Sequence, residues 1–321
     1  MARRLLARLG QAAVVLWVVL SAVFLLIHAA PGDPFSFDAP NISPAIRAQW
    51  RAAFGYDRPL GEQYVRYLSS ALHGDLGYSH SMHEPVRDAL AAALPRTLLL
   101  MGVALALSFA LGVWLALVEV RYAGTWRARL THRVALFFYS LPDFWLALVM
   151  LMAFAYWLPL FPAGGIVDPV LHDYMSPGRA LLDLLRHLVL PALTLTLLSA
   201  AAILRYQRSE LLEVLPMDFV RTARAKGLDE HTVLRRHVLR NALLPVITLL
   251  GLAFPALLGG ALFVEKVFAW PGMGYLAASA IDARDYPLVL ASVVVGSCMV
   301  IIGNLAADVL YRLADPRLRR Q

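Results

Sequence analysis

A single cysteine, Cys298, excludes an intramolecular disulfide and any cysteine-ligated metal cluster; lying inside a long apolar run, it reads most simply as a small packing residue. Lysine is almost as scarce. Only Lys226 and Lys266 occur, and neither stands in a Gly-x-x-x-x-Gly-Lys loop, so this chain carries no phosphate-cradling loop of that kind. His83-Glu84 lacks the second histidine of a zinc-protease helix, no Gly-x-Ser-x-Gly elbow is present, and no pair of acids is set together for catalysis within an apolar run. The nine histidines are scattered. No constellation supports catalysis by this chain, and no metal ligand set is expected. Charge is also thin: 16% of the residues are charged and 60% hydrophobic, where about 25% charged is usual for soluble domains.

What is present is apolar length. A bilayer core takes about 20 apolar residues per helix, and six stretches qualify: 9–30, 94–118, 134–160, 187–204, 242–264 and 287–310. The fourth is the weakest, because Pro191 stands near its start, and it could extend toward Leu212. The first follows Arg3, Arg4 and Arg8 like a secretory leader, but it is longer than an h-region and more membrane sequence follows, so an uncleaved span is expected. The four segments at 3–8, 121–133, 205–240 and 312–320 hold nineteen of the 29 Lys and Arg residues. Basic residues near short loops stay in the cytoplasm, which places both termini there, and the long segment 31–93 outside despite its five arginines. The net charge of +7 thus reports topology, and nucleic acid is not an expected partner.

The loop 205–241 contains a charged island patterned as two short helices. Asp218 is placed to cap the first, Lys226 falls in its last turn, and Gly227 stops it. Asp229 and Glu230 open the second, whose far end carries Arg235, Arg236, His237 and Arg240, so both charge gradients suit the helix dipole. A merely solvated basic loop explains the arginines but not the order helix, glycine, helix. The island resembles the "EAA loop" of permease subunits in ATP-binding-cassette importers. Arg221-Thr222-Ala223 stand in the Glu-Ala-Ala slot and Gly227 in the glycine slot, while the proline of the general pattern is absent at Arg240 and appears at Pro245. That variant is similar to the dipeptide/oligopeptide branch. So are Ala30-Pro31-Gly32-Asp33-Pro34, Gly74-Asp75-Leu76-Gly77, Pro271-Gly272-Met273-Gly274, Arg284-Asp285-Tyr286-Pro287 and Asp315-Pro316-Arg317, which together run along nearly the whole chain.

The resemblance implies an all-α, polytopic membrane protein: a six-helix type I importer permease bundle with a cytoplasmic coupling helix. It implies one of two related permease subunits, probed from outside by a substrate-binding protein and gripped inside by two ATPase subunits. Those subunits would hold ATP and magnesium, and this chain would bind no cofactor. Asp218, Arg221, Thr222, Ala223, Ala225, Lys226, Gly227 and Leu228 are the expected ATPase-coupling residues. Short peptides are the expected cargo, with nickel chelates, opines, glutathione or another small solute as alternatives. A bacterial inner (plasma) membrane location follows.

Polar groups inside spans need a reason, since an aspartate at a helix centre costs roughly 2.5 to 3.5 kcal/mol on insertion scales. Asp143 follows Pro142 within the third stretch, where the proline is expected to bend the helix, and Asn304 and Asp308 share one face of the sixth. These three are the pathway candidates; for Asp308 a pairing with Arg312 is the plainer reading. The same acids would serve a different class of protein, an autonomous channel or ion-coupled carrier. Pro255 within Gly251–Gly260 marks a bent, closely packed fifth span. In the outer segment, Leu60, Tyr64, Tyr67, Leu68, Ala71 and Leu72 recur at helical spacing and predict an amphipathic helix on the outer surface or a neighbouring subunit. The run Phe268–Tyr275 mixes interface aromatics with turn residues.

Overall fold

The computed structural model describes residues 2–29, 45, 48–49, 52, 55–243, 245–246 and 261–314, with side chains placed from Gly10 to Leu305. Among them the regular structure is helical apart from one two-stranded hairpin. The helices are α1 (Ala2–Ala29), α2 (Leu60–Leu72), α3 (Val86–Arg121), α4 (Trp126–Tyr139), α5 (Asp143–Leu151, continued by a π-helical turn Met152–Trp157), α6 (Pro177–Val214), α7 (Asp218–Ala225), α8 (Glu230–Thr232, continued by a π-helical turn Val233–Val238), α9 (Met273–Asp282) and α10 (Tyr286–Ala314). The strands are β1 (Tyr78–Ser79) and β2 (Glu84–Pro85), paired antiparallel with Tyr78 opposite Pro85.

Four helical stretches among the described residues are long and apolar enough to cross a membrane: Gly10–Ala29, Val86–Arg121, Pro177–Val214 and Tyr286–Leu305. The expected third stretch is not one straight helix. It breaks at Ser140–Pro142 into α4 and α5, which are inclined by 103°. Leu141 precedes a proline, where the α conformation is disfavoured, and Pro142 itself has extended ψ of 139° before α5 begins. The expected fifth span falls largely on residues 247–260, outside the described residues; so do its Pro255 bend, the run Ala30–Pro34 and Asp315-Pro316-Arg317.

The described chain divides into two units, residues 1–96 with 272–301 and residues 97–271 with 302–321. In the first, Val86, Ala89, Leu90 and Ala93 line one face at the start of α3 and pack with Met273, Leu276 and Ala280 of α9 and Leu288, Val289 and Ala291 of α10. The i, i+3, i+4, i+7 spacing that produces those faces is a helical one. Amphipathic α2 packs on α1: the Ser21 and Tyr64 hydroxyls meet at 2.5 Å, His28 Nε2 lies 3.2 Å from Gln63 Oε1, and Phe24 meets the Tyr64 ring edge-on. The helix expected to cover a surface or another subunit therefore turns its tyrosine face to the chain's own first helix. Leu60 and Leu72 stay exposed.

In the second unit two apolar clusters follow one another along α6. Leu188, Leu190, Ala192 and Leu195 pack with Leu100 and Ala104 of α3 and Leu146, Ala147 and Met150 of α5. Farther along, Ala201, Leu204, Leu211 and Val214 pack with Ala116 of α3, Ala135 of α4 and the α7–α8 hairpin. Gly112 makes the α3–α6 crossing close: a Cβ there would sit 2.7 Å from Ile203 Cγ2 and 2.9 Å from the Ala200 carbonyl. At 38 residues α6 is about 57 Å long, nearly twice a bilayer core.

Candidate functional site

The hairpin α7–Gly227–α8 is held by three local devices. Gly227 has φ +81°, a left-handed conformation that glycine adopts without steric cost and that ends α7 at Lys226. Nothing lies within 4 Å of a Cβ built there, so the glycine answers a backbone requirement and not a lack of room. The second device is the cap of α8: Asp229 Oδ2 accepts the Thr232 N–H at 3.0 Å. Hydrogen bonds from the Thr232 side chain and backbone hold this carboxyl below the usual aspartate range. Third, Arg224 spans the turn, its Nε 3.0 Å and its Nη2 2.7 Å from Glu230 Oε1.

The first helix is capped differently from the expectation. Met217 occupies the cap with extended ψ of 148°, and Asp218 is the first helical residue, its side chain making no capping bond and lying 3.5 Å from Arg221 Nη1. No side-chain hydrogen bond caps the start. Asp218 still places negative charge in the first turn, where the helix dipole favours it.

Burial divides the hairpin into two faces. Val220, Ala223, Val233, Leu234 and Val238 are buried against the end of α6. Gln207 of α6, itself fully buried, donates Nε2 to the Ala242 carbonyl at 3.1 Å and fixes the end of the second helix. The opposite face exposes Asp218, Arg221, Thr222, Ala225, Lys226, Gly227 and Leu228. Seven of the eight expected coupling residues thus share one exposed face. The eighth, Ala223, sits on the buried face, where its small side chain permits the close approach to α6.

The pathway candidates are not gathered. Asp143 is the first residue of α5, at the break and half-buried, with Oδ1 accepting the Phe144 N–H at 2.9 Å, so it stands at a helix start and not in a helix interior. Asn304 is exposed on α10, and the Asp308 side chain lies outside the described residues. Asp143 and Asn304 share no hydrogen bond among the described residues.

Three buried acids were not singled out from sequence. Glu119 of α3 takes Arg208 Nε at 2.7 Å and lies 3.3 Å from His132 Nδ1, tying α3, α4 and α6 together. Glu265 accepts the Thr97 hydroxyl at 2.7 Å. Asp285 accepts Ser79 Oγ at 2.6 Å, Ser81 N–H at 2.9 Å and Ser81 Oγ at 2.8 Å, which clamps the β hairpin to the start of α10. The only advance sign was the Arg284–Pro287 motif. The first unit also carries a half-open pocket of about 190 Å3 lined by Phe24, His28, Tyr56, Tyr67 and Tyr286 among others. Burial pushes the Tyr67 phenol up to about 12, so it stays protonated there.

Several helices of membrane-crossing length, with an exposed hairpin at the end of the longest one, are the frame of a multi-pass membrane protein. Residues 108–320 match the family described as "Binding-protein-dependent transport system inner membrane component", and residues 1–101 match its companion "Binding-prot-dependent transport system membrane comp, N-term". The chain belongs to this family and is a permease subunit of an ABC importer, a multi-pass membrane protein. It is 40% identical to the oligopeptide transport system permease protein AppB of Bacillus subtilis (strain 168), over 92% of each chain. It is 36% identical to the dipeptide transport system permease protein DppB of Escherichia coli (strain K12), over 99% of this chain and 98% of that one. Its fold is that of the solved MetNI methionine ABC transporter in an inward-facing conformation: TM-score 0.55, 19% identity, 72% of this chain and 99% of that one. An amino acid ABC transporter gives TM-score 0.51 at 15% identity, over 70% and 94%.

Proposed function

We propose that this subunit forms half of a translocation path for short peptides in a bacterial inner membrane, beside a second, related permease. An external substrate-binding protein delivers the cargo, and two cytoplasmic ATPases that hold ATP and magnesium supply the energy. Both termini lie in the cytoplasm. The observation that carries this reading is the two-faced hairpin: one face packed on the end of α6, the other exposing Asp218, Arg221, Thr222, Ala225, Lys226, Gly227 and Leu228 to the ATPase. Movement of the ATPase pair then reaches α6 through buried Val220, Val233 and Val238 and alternates the path between its two openings, a two-state element biased by nucleotide. Asp143, Asn304 and Asp308 are the path residues in this reading.

Peptide cargo rests on the names of the relatives. Its test is ATP hydrolysis by the reconstituted importer, with its binding protein, over a panel of peptides and metal chelates. Stimulation by short peptides is expected; stimulation by nickel chelates alone overturns the cargo while leaving the permease assignment standing.

A further inference from the structure

Helix α4 of the second unit leaves one apolar face exposed. At about 100° per residue, Trp126, Phe137, Leu130 and Val134 fall within about 80° of one another, opposite buried Ala128 and Ala135. Those four apolar side chains are 63%, 56%, 51% and 46% exposed. Arg129 and Arg133 flank the stripe on one side and Arg127 on the other, all exposed. None of the three, nor Arg121 at the end of α3, pairs with a carboxylate among the described residues. Instead, the Arg121 and Arg127 guanidiniums lie 5.5 and 5.2 Å from the Tyr122 ring centre.

The helix is also not collinear with the helix that follows it. It is inclined by 103° to α5. His132 and Tyr139 stand about 10 Å apart along α4. Yet His132 meets Glu119, which holds Arg208, while Tyr139 stacks under Arg205, 4.7 Å from the guanidinium, and these two α6 positions are only about 4.5 Å apart along their helix. Both contacts run through long arginine side chains that draw α4 against one end of α6. With 14 residues it is about 21 Å long, short of a bilayer core of about 30 Å.

We propose that α4 lies in the plane of the membrane–water interface, its Trp126–Leu130–Val134–Phe137 stripe sunk among acyl chains and Arg121, Arg127, Arg129 and Arg133 binding anionic phospholipid headgroups. Unpaired guanidiniums bordering an apolar stripe, with a tryptophan and a tyrosine beside them, are the chemistry that recognises a lipid phosphate at that depth. The device sits on the same side as the α7–α8 hairpin, because both pack on the same end of α6. It does not depend on which cargo the importer carries.

The test uses the whole importer in phosphatidylcholine vesicles with and without phosphatidylglycerol. In a Cys298→Ser background, single spin labels at Leu130→Cys, Val134→Cys and Phe137→Cys report depth from their relative accessibility to oxygen and to a soluble nickel chelate. An in-plane α4 gives one shallow depth at all three positions. A crossing α4 gives a ramp of about 1.5 Å per residue, roughly 10 Å in all, and overturns the proposal. Labels shielded in the whole importer but lying in water once the ATPase subunits are stripped from it also overturn it, in favour of a protein contact. In the second arm, the Arg127→Gln/Arg129→Gln/Arg133→Gln variant should lose about tenfold or more of the preference for retained phosphatidylglycerol over phosphatidylcholine, read by native mass spectrometry, and the wild-type preference should fall as salt rises. An unchanged preference overturns the lipid assignment even where the depth profile is flat.

Discussion

At Gly227 the backbone sign, not the available space, sets the residue type. A Cβ would touch nothing, yet φ of +81° strains any L side chain, so Gly227→Ala should cost the hairpin about 1 kcal/mol and Gly227→Asn less, because asparagine visits that region more readily. Thermal unfolding of the purified subunit, or proteolysis at the turn, measures the order. Asp229 gives a pH signature. Its carboxyl titrates below the ordinary range when folded, so the cap's contribution is complete above the unfolded value of about 3.9 and is lost as pH falls through the lower folded value. Asp229→Asn, still a good cap, should remove that acid dependence without changing neutral-pH stability much, as hydrogen exchange in α8 would register. The buried acids obey a different rule: Asp285 is tolerated away from water because three donors from the β hairpin converge on it.

Scale up to elements and the bridge across the turn becomes informative. Arg224 and Glu230 belong to different helices but remain largely exposed, so a double-mutant cycle with alanine should give a coupling of about 0.2–1 kcal/mol, reduced by salt. A larger value, unaffected by salt, would mean that the arginine braces the hairpin by packing. Element order was largely legible in advance where periodicity and punctuation agreed: Gly227 and Asp229 each announce one side of the turn, and the spacing of Tyr64 and Tyr67 announces α2. The start of α7 was misread because Asp218 is a favoured capping type, whereas Met217 took the cap without any side-chain bond. The break of the third stretch was half legible. Pro142 signals a bend, but the 103° turn depends on how α4 and α5 each pack on α6, a non-local fact that hydropathy does not contain.

For the whole molecule, apolar length reported membrane residence and the charged island reported the hairpin, while Arg208 lies 89 positions from Glu119, Ala242 lies 35 from Gln207 and Ser79 lies 206 from Asp285, and no local pattern could pair them. Transport is where these scales meet. Proline at position 227 would force φ to about −65° where the turn needs the opposite sign, and so should leave membrane insertion intact but abolish nucleotide-dependent uptake in reconstituted vesicles. Normal uptake by that variant would count heavily against the coupling role. The length of α6 bears on how little motion suffices. Because its far stretch, from Leu188 to Leu195, sits in one packed cluster and its near end in another, a rigid tilt of about 0.1 radian over about 57 Å displaces one tip by nearly 6 Å relative to the other. Under the proposed coupling, an angular change this small at the packed cluster would carry the far tip through several ångströms.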